Sequence, residues 1–452
     1  MIEKNKSNTL EILKFLPIIV FIFNPKIDII SLPNYWQGIR LDDLVILIYS
    51  IFFVLKINIK IYPTLIHPKM FGFNWIIFFP YMIFSIFIGK LFGLDHSVLL
   101  FLRYCEYIAL IIILNQLDPT KEKVLLLFKL YIVVNLVVVL LQYFEIIGGL
   151  TSRSCLITPY SEHLRLHYPN FLNNCFDKDS IKSICFFNCG FDTMKNYTPP
   201  LAFIDNSNNT YRVPGITGGP WELTVNLSIC FFAITVFEKD KKKLIPYLLM
   251  IILVMIIGQV RGAIFGFLAG SLFLLSDFKK TVQIFSILLL LLMFLYFFDV
   301  FDFKQIFESK FLLDYVQLLQ IFIEGFKGSL PPPDTVKETG LESMYWRIHG
   351  WMPSLSVLGR SNFLLFFGAG GSFNADNIPI LYNESLLIKV ITSYGLLGSF
   401  LCLYLIRKLP IFFIIFILVT GITLDLFTSF KIFTISCLFL FIYFKNKSEI
   451  VK

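Results

Sequence analysis

Residues 342–351 read ESMYWRIHGW, residues 368–371 read GAGG, and residues 383–398 read NESLLIKVITSYGLLG. Together they define a stretch, residues 342–398, in which charged, aromatic and glycine residues gather within an otherwise apolar chain. Binding and catalytic residues concentrate in segments that lie between the rigid elements of a fold. We therefore expect the chemistry of this protein in the stretch 342–398, and the apolar segments on either side of it indicate the fold.

The composition predicts an all-α, polytopic membrane protein. Of 452 residues, 56% are hydrophobic and only 15% are charged, whereas soluble domains have about 25% charged residues. A membrane-crossing helix needs about 20 mostly apolar residues, and buried ones are sometimes shorter. About twelve segments meet this requirement. They lie near residues 12–31, 41–57, 73–92, 97–116, 124–148, 220–237, 244–259, 262–276, 281–299, 382–405, 410–424 and 430–444.

The basic residues between these segments predict the orientation. Short linkers rich in lysine and arginine stay in the cytoplasm. A cytoplasmic N-terminus puts all the short basic linkers on that side, among them EKDKKK (238–243) and Arg407–Lys408. We therefore expect both termini inside, and we interpret the first apolar segment as a span because it lacks the small-residue cleavage site of a signal peptide.

This orientation divides the chain into five regions and leaves two long loops outside. The expected regions are spans 1–5 in residues 1–147, a first periplasmic loop in 148–219, spans 6–9 in 220–298, a second periplasmic loop in 299–381, and spans 10–12 in 382–452. The two long loops hold most of the polar residues with functional potential.

The first loop has four of the eight cysteines of the chain, namely Cys155, Cys175, Cys185 and Cys189. An even number of cysteines in an oxidising compartment indicates disulfide bonds, here two in one of three connectivities. A metal site is the alternative, but no paired C-x-x-C motifs are present, so we favour disulfides and expect no metal.

Four arginines lie outside or at the outer interface in this orientation: Arg212, Arg261, Arg347 and Arg360. The guanidinium group suits phosphate oxygens because its donors form a rigid, permanently charged fork. Their convergence would bind a lipid-linked phosphate or diphosphate. Glu384 and His349 are then candidate general bases. The alternative is that Arg347 snorkels to the interface, Glu384 caps a helix and His349 is merely exposed.

Several other polar residues have structural or functional interpretations. Arg103 and Glu106, three residues apart within an apolar segment, predict an ion pair on one helix face, and Asn135 and Gln142 are expected to face the protein interior. Asp42 and Asp43 begin a predicted span, so we favour a helix cap over a metal-binding pair.

The glycine-rich turn PGITGGP, residues 214–220, opens a predicted helix directly after Arg212. Backbone amides and the positive end of a helix there would favour an anion.

Short motifs in a characteristic order also support a family resemblance. R-x-x-G (212–215) ends the first loop, V-R-G-A (260–263) joins two short spans, and GAGG and NES…SYGLLG follow the second loop. Arg360 and Gly371 match an R-x10-G spacing as well. In these motifs and in its topology the chain, from about residue 120 onward, resembles the superfamily of O-antigen polymerases (Wzy-type) and O-antigen ligases.

The resemblance implies a metal-independent, C-type glycosyltransferase-like enzyme without a cofactor, at the periplasmic face of a bacterial inner membrane. Family arginines grip an undecaprenyl-diphosphate-linked glycan, and Arg212, Arg261 and Arg347 match them. Ligases typically have a histidine near the start of the span after the second loop, where this chain has Glu384. His349 lies well upstream of that place, so the comparison favours a polymerase.

The expected function is polymerisation of lipid-linked oligosaccharide repeat units into a surface polysaccharide such as O-antigen. The expected partners are undecaprenyl-diphosphate-linked glycans, the lipid bilayer, a repeat-unit flippase and a chain-length regulator, and no nucleic acid. Two alternatives are an O-antigen ligase that transfers the glycan to lipid A core and a polysaccharide or small-molecule transporter.

Overall fold

The computed structural model describes residues 15–25, 28–30, 39–56, 73–96, 98–144, 204–205, 210–211, 213–238, 240–258, 260–275, 323–324, 342–370, 373–374, 385–426 and 429–450. Several predictions lie outside these residues. They concern Arg212, Glu384, the four loop cysteines, the apolar segment 281–299 and most of both predicted loops.

The described residues are mostly helical. The helices are α1 (15–23), α2 (Leu41–Lys56), α3 (Phe73–Leu91), α4 (Val98–Leu117), α5 (Lys121–Tyr143), α6 (Pro220–Phe237), α7 (Ile245–Gly258), α8 (Arg261–Leu275), α9 (Glu342–Leu358), α10 (Asn362–Phe367), α11 (Leu386–Ile406), α12 (Ile411–Gly421) and α13 (Phe430–Ile450), with a 3-10 turn at Lys241–Leu244.

Three short antiparallel strand pairs accompany the helices. Strand β1 (Asp28–Ile30) pairs with β2 (Ile39–Arg40), β3 (Asp95–His96) with β6 (Phe373–Asn374), and β4 (Ile204–Asp205) with β5 (Thr210–Tyr211). Each of these pairs has only two or three residues per strand, so the helices provide the architecture of the described part of the chain.

Predicted apolar segments that fall within the described residues coincide with helices. The segment 220–237 matches α6 at both ends, and 41–57 and 73–92 match α2 and α3 to within one residue. Among the described residues, three helices are long and apolar enough to cross a membrane, namely α5, α6 and α11. The second predicted loop contains helical structure as well, because α9 and α10 lie within residues 299–381.

The helices form two compact units, and each unit combines segments that are distant in sequence. Unit 1 contains α1, α2, most of α4, α5, α6, α7 and α13. Its centre is α6, which packs against α5, α7 and α13 and buries nearly all of its side chains. Aromatic contacts add to this core, since the ring of Tyr107 stacks on that of Phe433 with centroids 4.3 Å apart.

Unit 2 contains α3, most of α8, and α9 to α12. Its centre is α11, which packs against α9, α10 and α12. A small apolar core of Ile88, Leu94, Val357, Leu364 and Ala369 joins α3 to the end of α9, to α10 and to the glycine segment. The stretch 342–398 thus belongs to one packed unit wherever it is described.

Candidate functional site

The predicted site residues fall in both units. Arg347 lies half-buried in the second turn of α9, and Arg360 is exposed in the turn after that helix, both in unit 2. Arg261 is the exposed first residue of α8 and belongs to unit 1. The backbone of His349 lies in α9, and its side chain is outside the description. Convergence of the four arginines therefore remains a prediction.

In unit 2 the GAGG segment is hydrogen-bonded along the backbone of α11. The amide of Ala369 donates to the carbonyl oxygen of Thr392 (2.9 Å), and the amide of Gly370 donates to that of Ser393 (2.8 Å). These amides are therefore used within the protein.

This arrangement depends on a break in α11 at Gly395. Gly395 has φ of 63° and ψ of −168°, which interrupts the helix. Gly368 comes so close that a Cβ atom on Gly395 would lie 2.5 Å from the amide nitrogen of Gly368. The break frees carbonyl groups from their helical partners, and an orphaned buried carbonyl is costly. Besides the two glycine-segment amides, the Tyr81 hydroxyl donates to the carbonyl oxygen of Tyr394 (2.8 Å).

The start of α11 is defined by a cap and an ion pair. The Ser385 hydroxyl accepts from the amide of Ile388 (3.4 Å) and donates to the carbonyl oxygen of Gly421 (3.1 Å). One turn later, Lys389 Nζ lies 2.6 Å from Asp425 Oδ2. Ser385 therefore caps α11. Glu384, the preceding residue, lies outside the described residues, so its catalytic and capping interpretations both remain predictions.

In unit 1 a cluster of arginines and carboxylates joins the starts of α2 and α4. Arg103 Nη1 lies 2.6 Å from Glu106 Oε2 and 3.3 Å from Asp43 Oδ1. The predicted Arg103–Glu106 ion pair is confirmed. Asp43, the third residue of α2, also accepts from the backbone amide of Arg40 (2.9 Å), which is the contact of a capping box. The helix-cap interpretation of the acidic pair is confirmed for Asp43.

Residues 214–219, which we call the glycine turn, are held by side chains of two helices. The amide of Gly215 donates to Gln142 Oε1 (2.8 Å), and the amide of Ile216 donates to Asn135 Oδ1 (3.2 Å). Gln142 and Asn135 are completely buried, so their predicted interior position is confirmed. The amide of Gly218 donates to Glu222 Oε2 (2.7 Å). The anion expected at this helix start is therefore the carboxylate of the chain itself.

The charged network of unit 1 extends from Glu222 to α13. The Ser429 hydroxyl donates to Glu222 Oε1. Lys431 Nζ donates to the carbonyl oxygens of Asn24 (2.7 Å) and Ile216 (3.0 Å). Lys431 also has Glu222 and Asp42 as electrostatic neighbours. Sequence reasoning missed this lysine, although the signal was present as a charge directly at the start of the apolar segment 430–444.

Both units therefore place ionic contacts at the ends of apolar helices, where they are shielded from solvent. Charges at such positions interact more strongly with one another than charges at the surface do, because the local dielectric is low. In the part of the chain that the structure describes, no three His, Cys, Asp or Glu residues lie close enough to hold a metal ion. The sequence matches no protein-family model, and no significant match to a curated protein was found.

Proposed function

We propose that this protein is a multi-pass glycosyltransferase of the O-antigen polymerase type. It has about twelve spans, as the apolar segments predict, and both termini in the cytoplasm of a bacterium. It joins undecaprenyl-diphosphate-linked repeat units into a surface polysaccharide at the periplasmic face of the inner membrane. The family resemblance suggests the reaction, and the distribution of buried charge supports the outer location of the site.

The proposal rests on the positions of the ion pairs that are shielded from solvent. In the predicted orientation α2, α4 and α11 begin at the outer face, and α12 ends there. The pairs at these ends are Arg40–Asp43, Arg103–Asp43, Arg103–Glu106 and Lys389–Asp425, and none of their side chains is more than 18% exposed. Ionisable residues inside a membrane are costly and usually mark a functional pathway or site.

Ion pairs at the predicted inner ends are different. In Lys121–Glu122, Lys129–Glu238 and Lys445–Asp118 at least one side chain is exposed by 28% or more. Lys121–Glu122 and Lys445–Asp118 each have one side chain that is at least 64% exposed, and exposed pairs of this kind contribute about 0–1 kcal/mol. Lys129–Glu238 is intermediate, at 28% and 21%. The contrast between the two ends supports a site that opens to the outer side.

The mechanism follows from the chemistry of a lipid-diphosphate donor. A hydroxyl of the terminal sugar on one lipid-linked unit attacks the anomeric carbon of the growing chain, and the carbon–oxygen bond to the lipid diphosphate breaks. Arg212, Arg261 and Arg347 stabilise the negative charge that develops on the leaving diphosphate. Glu384 accepts the hydroxyl proton, with His349 as the second candidate. Arg347 lies in α9, and α9 packs on α11, the helix that begins after Glu384.

A transporter remains the alternative from another class, and the interruption of α11 is the feature that bears on it. Interrupted helices such as α11 bind substrates or ions in many transporters through backbone carbonyls freed at the break. Here the carbonyls of Thr392, Ser393 and Tyr394 already accept hydrogen bonds from the glycine segment and Tyr81. The break therefore serves packing within the protein, because these carbonyl groups are already hydrogen-bonded. This favours the glycosyltransferase proposal over a transporter.

Arginine substitutions test the diphosphate site. Arg347→Ala and Arg261→Ala should leave the protein inserted in the membrane but abolish long-chain polysaccharide, because the charge on the leaving group loses its partner. The measurement is the banding ladder of surface glycan, with membrane levels of the protein measured in parallel. Arg407→Ala is the matched control, since Arg407 lies at the predicted inner end of α11 over the Tyr404 ring.

A normal ladder from either site variant would contradict the diphosphate site. Purified protein supplied with a lipid-linked repeat unit and no lipid A core separates the enzyme classes. Lengthening of the glycan identifies a polymerase, whereas transfer that requires added core identifies a ligase. Movement of the glycan across a vesicle membrane without lengthening would identify a transporter.

A further inference from the structure

Lys431 places a buried positive charge at the start of α13. Its side chain is only 4% exposed. Among the described residues, its ammonium group makes hydrogen bonds to two backbone carbonyl oxygens, at 2.7 Å and 3.0 Å, rather than an ion pair. A buried lysine that is held by carbonyl groups needs a different explanation from one that pairs directly with a carboxylate, as Lys389 does.

The two carbonyl groups belong to segments that are held in place independently of Lys431. Ile216 lies in the glycine turn, where its own amide is bound by Asn135 and the preceding amide is bound by Gln142. Asn24 directly follows α1, and its amide donates to the carbonyl oxygen of Val20 (2.9 Å). The C-terminal end of a helix also favours a cation, because its carbonyl dipoles point there.

Two carboxylates provide the opposite charge at longer range. Glu222 is held by the Ser429 hydroxyl and the amide of Gly218. Asp42 accepts a long hydrogen bond from the side-chain amide of Asn24 (3.5 Å). Arg40 is the positive group that also faces Lys431 electrostatically. The ammonium group therefore has two carbonyl oxygens in contact and two carboxylates as electrostatic neighbours at longer range. Backbone carbonyls and helix C-termini bind monovalent cations in a similar way elsewhere.

We propose that unit 1 contains a monovalent-cation site that the Lys431 ammonium group fills as a tethered cation. By occupying it, Lys431 connects the end of α1, the glycine turn and the start of α13 without any free ion. When the side chain is shortened, the carbonyl and carboxylate oxygens remain, and a free potassium or ammonium ion takes the vacant position. Both ions resemble the lysine ammonium group in charge and approximate size.

Two substitutions at this position separate a cation site from a simple structural contact. Lys431→Ala removes the charge and opens space for an ion. Lys431→Met removes the charge as well, but its long apolar side chain fills the same space. Both should lower the unfolding temperature by several degrees, because each leaves the buried carbonyls and carboxylates without a cation. Only the alanine variant should respond to added ions.

The experiment measures thermal unfolding of the purified, full-length protein in detergent. Potassium, ammonium and choline chloride are compared at equal ionic strength. The Lys431→Ala variant should regain most of the lost stability in potassium or ammonium, rising with the logarithm of ion concentration as expected for binding to the folded state. It should not do so in choline. Wild type, Lys431→Met and the control Lys445→Ala should show no such selective response.

Several results would overturn the proposal. These are an equal effect of choline, an equal response of Lys431→Met, or no response of Lys431→Ala to either ion. If the alanine variant cannot be recovered from membranes prepared in potassium or ammonium salts, that failure also counts against the site, because an available ion should restore folding. The readout is stability, so it is independent of the proposed glycosyltransferase activity.

Discussion

Glu384 directly precedes Ser385, whose hydroxyl group caps α11. Two adjacent residues at the start of one helix therefore have separable roles in our proposal. Ser385 satisfies a backbone amide, and Glu384 accepts a proton during glycosyl transfer. The distinction matters because a capping role is the main alternative to catalysis for Glu384.

Glu384→Gln should severely reduce polysaccharide formation at a normal membrane level of protein. The amide keeps the size and hydrogen-bonding capacity of the side chain but accepts no proton at neutral pH. The control is Ser385→Ala, which should cost about 1 kcal/mol of stability through the lost cap and should retain activity. Near-normal polymer from Glu384→Gln would remove this residue from the catalytic role and leave His349 as the candidate base.

In helix α11 the glycine motifs of the sequence correspond directly to features of the backbone. The SYGLLG part of the motif contains Gly395, where the helix is interrupted, and the GAGG part supplies two of the amides that satisfy the freed carbonyls. One glycine motif therefore supplies the amide donors, and the other contains the helix break whose carbonyl groups accept them. We call this contact the glycine joint. A side chain is excluded there because Gly368 and Gly395 approach each other too closely.

Gly395→Ala should strongly destabilise the protein for two reasons. At φ of 63° and ψ of −168° the backbone is in a region that is essentially restricted to glycine, and a side chain there costs roughly 1–3 kcal/mol. The new Cβ would also lie 2.5 Å from Gly368 N and Phe366 O. Gly93→Ala is the matched control, because Gly93 also has a positive φ, of 76°, but a Cβ there meets no atom within 4 Å. The unfolding temperature should fall clearly more in Gly395→Ala than in Gly93→Ala. Equal decreases would contradict the close contact between Gly368 and Gly395.

At the level of the complete chain, the predicted orientation places the proposed site on the outer face of the membrane. The short basic linkers predict that residues 238–243 are cytoplasmic and that residues 148–219 are periplasmic. Both units, each considered by itself, have their most shielded ion pairs at helix ends predicted to be outside. The proposed use of a lipid-linked donor depends on this orientation.

Epitope insertion tests the orientation directly. A tag inserted near residue 160 should be accessible to antibody in intact spheroplasts, whereas a tag in the linker 238–243 should be accessible only after the inner membrane is permeabilised. Positive charges retain such linkers on the cytoplasmic side, so we expect a clear difference. Accessibility in the opposite order would place the arginines in the cytoplasm and contradict a periplasmic polymerase.

The sequence by itself determined the apolar, helical character of the chain, the positions of those described helices that coincide with the predicted apolar segments, and the Arg103–Glu106 pair. These features are local: apolar runs specify helices, and a spacing of three residues brings two side chains together on one helix face. The capping role of Asp43 belongs to the same class, because its partner Arg40 is three residues away.

Only the tertiary structure decided which polar groups meet across distant segments. Ser429 reaches Glu222 over 207 residues of sequence, and Lys431 reaches Asn24 over 407. The GAGG amides likewise donate to carbonyl groups of α11. In the glycine turn, the carboxylate of Glu222 accepts from a backbone amide and is the anion that the sequence predicts there. Buried polar groups must find partners wherever the fold brings donors and acceptors together. The periodicity of one segment contains no information about those partners. The carbonyl oxygens that bind the Lys431 ammonium group could therefore be identified only from the tertiary structure.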